Sequence, residues 1–258
     1  MCKSEPERGV TANIPVLGTG DSGFESPRSD MKINKSPWIH ELDQDRKINT
    51  LASDLDTDVA IVGAGIAGIS TAFFILKYTQ ERVAMFEQGK LAHGATGHNA
   101  GHVVARFERP LHELVSEFGF SQVKSALHDL NSAWLLLDEM YTDANLDIPF
   151  TKVVGYRGFS DIHQVITACK DIEVEMRGGL EPKPILLSDE APFKESIPKT
   201  LEKYYKLVSQ QEILEKLETK DRIYHAVATD QSACMNSALF CQQVCQYLLK
   251  QFPKRFCL

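Results

Sequence analysis

The chain has 258 residues, of which 43% are hydrophobic and 24% charged, and a formal net charge of −7. That composition fits one large or two modest globular domains with a sizeable core. An acidic balance without a lysine or arginine cluster excludes nucleic acid or an anionic membrane surface as the main partner, and leaves a small molecule.

Residues 1–37 are rich in Ser, Pro, Gly, Asn and charge, with apolar residues at neither a helical nor a strand period, which predicts a disordered leader. No basic stretch precedes an apolar core, so no secretory signal is read. The six cysteines show no pairing pattern, which suggests reduced thiols and a cytoplasmic setting. Residues 38–57 form a connecting segment of loop and short helix, with Trp38 and Ile39 as its first anchors.

The run Asp58-Val-Ala-Ile-Val-Gly63-Ala-Gly65-Ile66-Ala67-Gly68-Ile-Ser-Thr-Ala72 then places a G-x-G-x-x-G turn between a buried-strand pattern and a helical one. Gly63 permits the tight turn, Gly65 leaves room for a pyrophosphate at the backbone, and Gly68 lets the helix pack closely on the sheet. The amides of the helix N-terminus face the anion. Ile66, Ile69, Phe73 and Leu76 form the stripe expected to face the sheet. Arg82-Val-Ala-Met-Phe-Glu87 predicts a second strand ending in a carboxylate, a ribose acceptor that would repel a 2′-phosphate. The pattern therefore favours FAD or NAD over NADP. Val59 to Leu76 carries no charge and approaches membrane-spanning length, but its glycines mark a strand turning into a helix, so no transmembrane segment is read.

After Gln88 comes a second glycine-rich stretch, Gly94-Ala95-Thr96-Gly97-His98-Asn99-Ala100-Gly101-His102. Its open backbone can bring N–H groups and the Thr96 and Asn99 side chains against a flat, phosphate-linked cofactor.

Leu111 to Leu146 is helical in pattern, with a packing face that includes Leu114, Phe118, Val123, Leu127, Trp134 and Met140. A strand is expected at Lys152 to Val154, followed by a turn at Gly155-Tyr156-Arg157-Gly158. Helices are expected near Asp161 to Met176 and Pro198 to Glu218, a strand from Arg222 to Ala228, and a capped helix from Asn236 to Gln251. Cys241 and Cys245 stand four apart on that helix without a second ligand pair, so they read as core and no metal site is assigned.

Taken together, the two glycine segments and Glu87 resemble the D-amino acid oxidase-like (DAO) family of FAD-dependent oxidoreductases, with weaker similarity up to Asp230-Gln-Ser-Ala-Cys-Met-Asn-Ser-Ala-Leu-Phe240. The resemblance implies an α/β fold: a Rossmann-like FAD-binding βαβ unit, begun over residues 58–110, followed by the start of a mixed α+β substrate domain over 111–258. That second part is expected to be truncated. The resemblance further implies oxidation of a C–N bond of an amine or amino acid by hydride transfer to flavin. Its FAD contacts would be Gly63, Gly65, Ile66, Ala67, Gly68, Glu87, Gln88, Gly94, Ala95, Thr96, Gly97, Asn99, Gly101 and His102. His93, His98 and His102 are the candidates for covalent flavin attachment, with a plain hydrogen bond as the favoured role. No catalytic residue is assigned, because the resemblance implies that the family's substrate-binding Arg, Lys or Tyr positions belong to the expected missing portion. Two alternatives stay open: a fragment of an NAD-dependent dehydrogenase, and a non-catalytic remnant or subunit that needs a second chain to complete the fold. The first sheet is expected to hold only two strands.

Overall fold

The computed structural model describes residues 36–43 and 49–258, so the expected leader lies outside the described residues apart from Ser36 and Pro37. Ser36 accepts the Trp38 N–H at 3.3 Å and opens α1 (Pro37–His40). Ile39 is buried there, as the sequence suggests.

Arg82 and Asp58 set the first strand pair in register. The guanidinium donates from Nε to Asp58 Oδ2 and from Nη2 to Oδ1, both at 3.0 Å, and the Arg82 backbone N–H reaches Oδ2 at 2.8 Å. This two-pronged contact holds the Asp58 carboxyl down at about 2 and aligns β1 (Val59–Val62) with β2 (Val83–Phe86) in parallel. Between them runs α2 (Ile66–Tyr78), which buries Ile69, Ala72, Phe73 and Leu76. Ile66, counted in that stripe from the sequence, is 36% exposed because it sits at the open end of the helix.

After β3 (His102–Val104), the expected single helical stretch is two helices, α3 (Leu111–Phe118) and α4 (Phe120–Asp143). Gly119 separates them with a φ of 85°, which a side chain would strain. Val123, Leu127, Trp134 and Met140 are buried as the pattern predicts, whereas Phe118 is exposed.

The expected turn at Gly155–Gly158 is instead the middle of a nine-residue strand, β4 (Thr151–Phe159). Its glycines answer to crowding: a Cβ on Gly155 would lie 2.5 Å from Ser232 Oγ, and one on Gly158 would lie 2.7 Å from the Tyr224 ring. Asp161 accepts the N–H groups of His163 and Gln164 and starts α5 (Ile162–Gly178) where expected. A strand that the sequence reading missed follows, β5 (Ile185–Ser188).

The helix expected over Pro198–Glu218 is also corrected. It resolves into a 3₁₀ segment, a strand β6 (Tyr205–Val208) paired in parallel with β5, and a short helix α6 (Gln210–Lys216) capped by Ser209. Pairing with the buried β5 overrides the helical periodicity. The strand expected from Arg222 begins later, as β7 (Ala226–Cys234), because Thr219 and Asp221 accept the N–H groups of Asp221 and Ile223 in local turns. Asn236 then caps α7 (Ser237–Gln251) by accepting the N–H groups of Ala238 and Leu239, and β8 (Phe256–Cys257) follows.

Two sheets result. In the first, β8 pairs with β2 on the side away from β1, so the sheet has three parallel strands rather than the two expected from sequence. Arg255 secures this return by donating to the Leu76 and Thr79 carbonyls at 2.8 and 2.9 Å, at the C-terminal end of α2. In the second sheet, β7 carries β4 along one edge over nine residue pairs, while β3 and β5 share its other edge. Helices α2 and α7 pack together in a core that contains Phe73, Leu76, Phe240 and Leu248. Residues 237–257 thus pack with the first sheet, although they follow the strands of the second. The apolar run from Val59 to Leu76 is divided between β1 and α2, and among the described residues no helix is long and apolar enough to cross a membrane.

Phe240 is fully buried at the centre of this core. Phe240→Ala is expected to cost about 3–5 kcal/mol in urea unfolding, and Phe118→Ala, at an exposed position, less than about 0.5 kcal/mol.

Candidate nucleotide-binding site

The first glycine turn is built for close approach. Gly63 has a φ of 101° and donates its N–H to the Phe86 carbonyl at 2.7 Å, so the chain turns sharply while staying bonded to β2. A Cβ on Gly68 would lie 2.0 Å from the Gly63 carbonyl oxygen and 3.2 Å from Ile61 Cγ2, so α2 can seat on the turn only without a side chain there. Gly65 begins the helix with no side-chain cap. The Ile66 N–H is taken by Thr96 Oγ1 at 3.0 Å, while the amides of Gly65, Ala67 and Gly68 find no acceptor among the described residues. Those amides at the positive end of a thirteen-residue helix are what an anionic group requires.

Glu87 sits where the sequence places it, at the end of β2, and both its oxygens are engaged. Oε2 accepts the Ala64 N–H and Oε1 the Gly89 N–H, each at 2.9 Å. Two backbone donors fix the carboxylate's orientation, and each oxygen keeps a further acceptor site for a hydroxyl. Glu87 and Gln88 line a cavity of about 840 Å³ at the carboxyl ends of β1 and β2, together with Val62, Met85, His93 and Gln242. Such a crevice beyond the strand ends is where open parallel sheets take ligands.

The second glycine stretch is brought against the first. A 3₁₀ turn, Ala95–Gly97, buries Thr96 beside Gly65, where a Cβ would stand 2.9 Å from the Thr96 hydroxyl. The room at Gly65 is therefore partly filled by Thr96. Gly97 packs on the Ala92 carbonyl and on Ile39, and Gly101 on the Met235 carbonyl and the Trp38 ring. Ala92 itself is buried with a φ of 60° and bonds its N–H to the Ala64 carbonyl, tying this loop to the glycine turn.

Asn99 organises the stretch. Its amide nitrogen donates to the Ala95 and Thr96 carbonyls and to Ser237 Oγ, and its Oδ1 accepts the Gly101 N–H at 2.7 Å. These bonds leave its side chain holding the loop, a role the sequence reading did not weigh. Ser237, at the start of α7, donates to the Thr96 carbonyl at 2.6 Å. Ser237 was missed because no local pattern marks a residue whose partners lie 138 and 141 positions away.

The three histidines separate. His93 lines the cavity with its Nδ1 on the Leu91 carbonyl, and His98 pairs Nδ1 with the Gly94 carbonyl, both at 2.9 Å. His102 is exposed and paired with Cys234 in the second sheet. Gly94, with nothing within 4 Å of its Cβ position, and Ala95 lie exposed at the start of the loop. The geometry thus joins Gly63 to Gly68 with Glu87 and Thr96, and sets Gly101 and His102 at the edge of the other sheet. Cys241 and Cys245 are buried on α7, where burial pushes the Cys241 thiol up to about 12.

Gly68→Ala and Gly94→Ala should separate packing from composition. Alanine at 68 meets backbone that cannot swing aside and is expected to lower the urea midpoint by the equivalent of about 1–3 kcal/mol. Alanine at 94 is expected to change it by less than about 0.5 kcal/mol.

Known structures share this fold. Glycine oxidase from Geobacillus kaustophilus superposes with a TM-score of 0.51 at 19% identity over 78% of this chain and 46% of its own. L-amino acid deaminase from Proteus vulgaris gives 0.52 at 16% identity over 82% and 41%. At these identities the likeness is one of fold, and the chain spans less than half the length of either protein. A shorter match, 32% identical over 74 residues, covers 29% of this chain and 14% of a Bacillus subtilis protein named as a Rieske 2Fe-2S iron-sulfur protein, YhfW. The model of the FAD dependent oxidoreductase family, DAO, matches residues 58–251, three quarters of the chain, which places it in the DAO family of FAD-dependent oxidoreductases.

Proposed function

We propose that this chain holds the ADP half of FAD in an oxidoreductase acting on the C–N bond of an amine or amino acid. One observation carries the reading: amides without acceptors at the start of α2 lie between a pre-oriented Glu87 carboxylate and the Thr96 loop. In this arrangement the Gly65, Ala67 and Gly68 amides bind the pyrophosphate and Glu87 accepts from the adenosine ribose. Gln88 and His93, on the wall of the same cavity, lie toward the adenosine end. The stretch Gly94 to His102 leads toward the flavin, with Asn99 and Ser237 keeping its backbone in place. When bound, FAD supplies the hydride acceptor. The side chains of this site bind and orient; they move no proton.

The names of the two oxidoreductases matched in fold support an amine or amino-acid substrate. A second polypeptide is part of the proposal. Strand β1 has β2 on one edge and no partner on the other among the described residues, and its Val62 is 89% exposed. An apolar parallel strand with an open edge and an uncovered face accepts another strand.

Calorimetric titration of the 258-residue chain tests the cofactor assignment. FAD and ADP should bind in competition and riboflavin should not, and no turnover of amines or amino acids should accompany binding by this chain alone. Glu87→Arg removes charge-assisted hydrogen bonds to the ribose and is expected to weaken FAD by about 1.5–3 kcal/mol, roughly tenfold or more in Kd. Gly65→Val drives a branched side chain into Thr96 and the pyrophosphate path, and should abolish FAD binding. Riboflavin binding with full affinity, or FAD and ADP binding without competing, would overturn the assignment.

A further inference from the structure

A second cavity, of about 550 Å³, lies between α5, the β3–α3 connection and the second sheet, and it shares no lining residue with the nucleotide cavity. At its polar end, Arg106 Nη1 and Arg157 Nε approach the same oxygen, Asp230 Oδ2, at 3.6 and 3.7 Å. Both distances are ion pairs too long for hydrogen bonds. Neither guanidinium donates a hydrogen bond to any other group among the described residues, so two planar forks share one carboxylate oxygen and keep their N–H groups unused. One turn of α5 carries two more acids. Asp171 accepts from His112, at 3.1 Å from Nδ1 and 3.3 Å from the backbone N–H. Glu175 has no such donor.

Burial, and then the neighbouring Asp171 and Asp230, push the Glu175 carboxyl up to about 7, against the pull of Arg157. While Glu175 is protonated, Arg106 and Arg157 balance Asp230 and Asp171, and ionisation of Glu175 leaves the cluster one negative charge in excess, so the protonated form is the one that admits an anion. On the rim, Arg109 is paired with Glu117 at 2.8 Å, and Lys183 stands near Glu181 in sequence, so neither adds a clear excess of either sign. The cavity continues into an apolar wall made by Leu127, Trp134 and Ile172, all buried.

We propose that this cavity is a binding site for a monocarboxylate with an apolar body, its carboxylate bridging Arg106 and Arg157 and its body against Leu127, Trp134 and Ile172. Arginine forks suit a carboxylate in a way a point charge does not, because each can donate two parallel bonds. The ligand's negative charge arrives beside Glu175 and favours the protonated form. Binding therefore takes up a proton and tightens as pH falls through the Glu175 titration.

The probe is 3-phenylpropionate, titrated into the full chain by calorimetry at about pH 6 and pH 8 in buffers of different ionisation enthalpy. Binding is expected to be tighter at the lower pH with little proton uptake, because Glu175 is already protonated there, and to weaken about fivefold or more at the higher pH, where it is accompanied by proton uptake. Arg106→Met and Arg157→Met keep the aliphatic stems and should each weaken it about tenfold, while Glu175→Gln should bind with little pH dependence and no proton uptake. The neutral isostere 3-phenylpropionamide, on the unaltered chain, should not bind. Equal binding of amide and acid, undiminished binding by both arginine variants, or no heat at either pH would overturn the proposal. ADP titration of the same samples reports on the nucleotide site separately, so failure at one site is distinguishable from failure at the other.

Discussion

The polar knot of Thr96, Asn99 and Ser237 is the constraint on which the rest of the molecule depends. It sits where the second glycine stretch meets the N-terminus of α7, and its internal bonds join those two segments. Upstream, the Thr96 hydroxyl accepts from α2 and seats the loop on the glycine turn. Downstream, Asn99 shapes the turn at Gly101, whose carbonyl accepts the Met235 N–H and so sets β3 beside β7. The Trp38 indole closes the knot by donating to the Asn99 carbonyl at 2.6 Å. Thr96 and Ser237 are buried while Asn99 is exposed, and a polar network holds a unique geometry only when its buried members are satisfied, as they are here.

Packing density around the glycines follows from the same constraint. Gly68, Gly97 and Gly101 each bring backbone or a large side chain to within the space of one methyl group, and these contacts fasten α2, α1 and the loop together. Rigidity is useful at this place. A site made largely of backbone amides can discriminate only if the backbone cannot drift, since an amide displaced by an ångström no longer meets its acceptor.

Much of the geometry of the candidate site was legible in the sequence because its signals are local. The turn glycines, the stripe of α2, the carboxylate ending β2 and the Asn236 cap each act within a few residues, and each lies where the pattern puts it. The second sheet was harder to read. Tyr205 to Val208 looks like the middle of a helix until β5 is known to lie beside it, and Gly155 and Gly158 signal a turn unless Ser232 and Tyr224 are known to press on them. The charge cluster of Arg106, Arg157, Glu175 and Asp230 was invisible for the same reason: its members come from four separate segments and meet only through the register of β4 and β7.

That register also explains how one sheet serves two chemically different neighbourhoods. In the pairing of β4 with β7, Phe159, Arg157 and Gly155 stand opposite Ala226, Ala228 and Asp230, and this face meets α5 through Ala226, Ala228 and Phe159. Tyr156, an alternate residue, is exposed on the other face. Because side chains alternate along a strand, a slip of β4 by one residue would turn Arg157 out of the cavity and away from Asp230 and drive Tyr156 into it. Gly155 packs closely on Ser232, whose hydroxyl would have to move to admit a side chain at that position. The nine-pair register is therefore what keeps the guanidiniums, Asp230 and the buried flank of α5 on one side of the sheet, while the loop that carries Thr96 and Asn99 stays bound to its edge through β3.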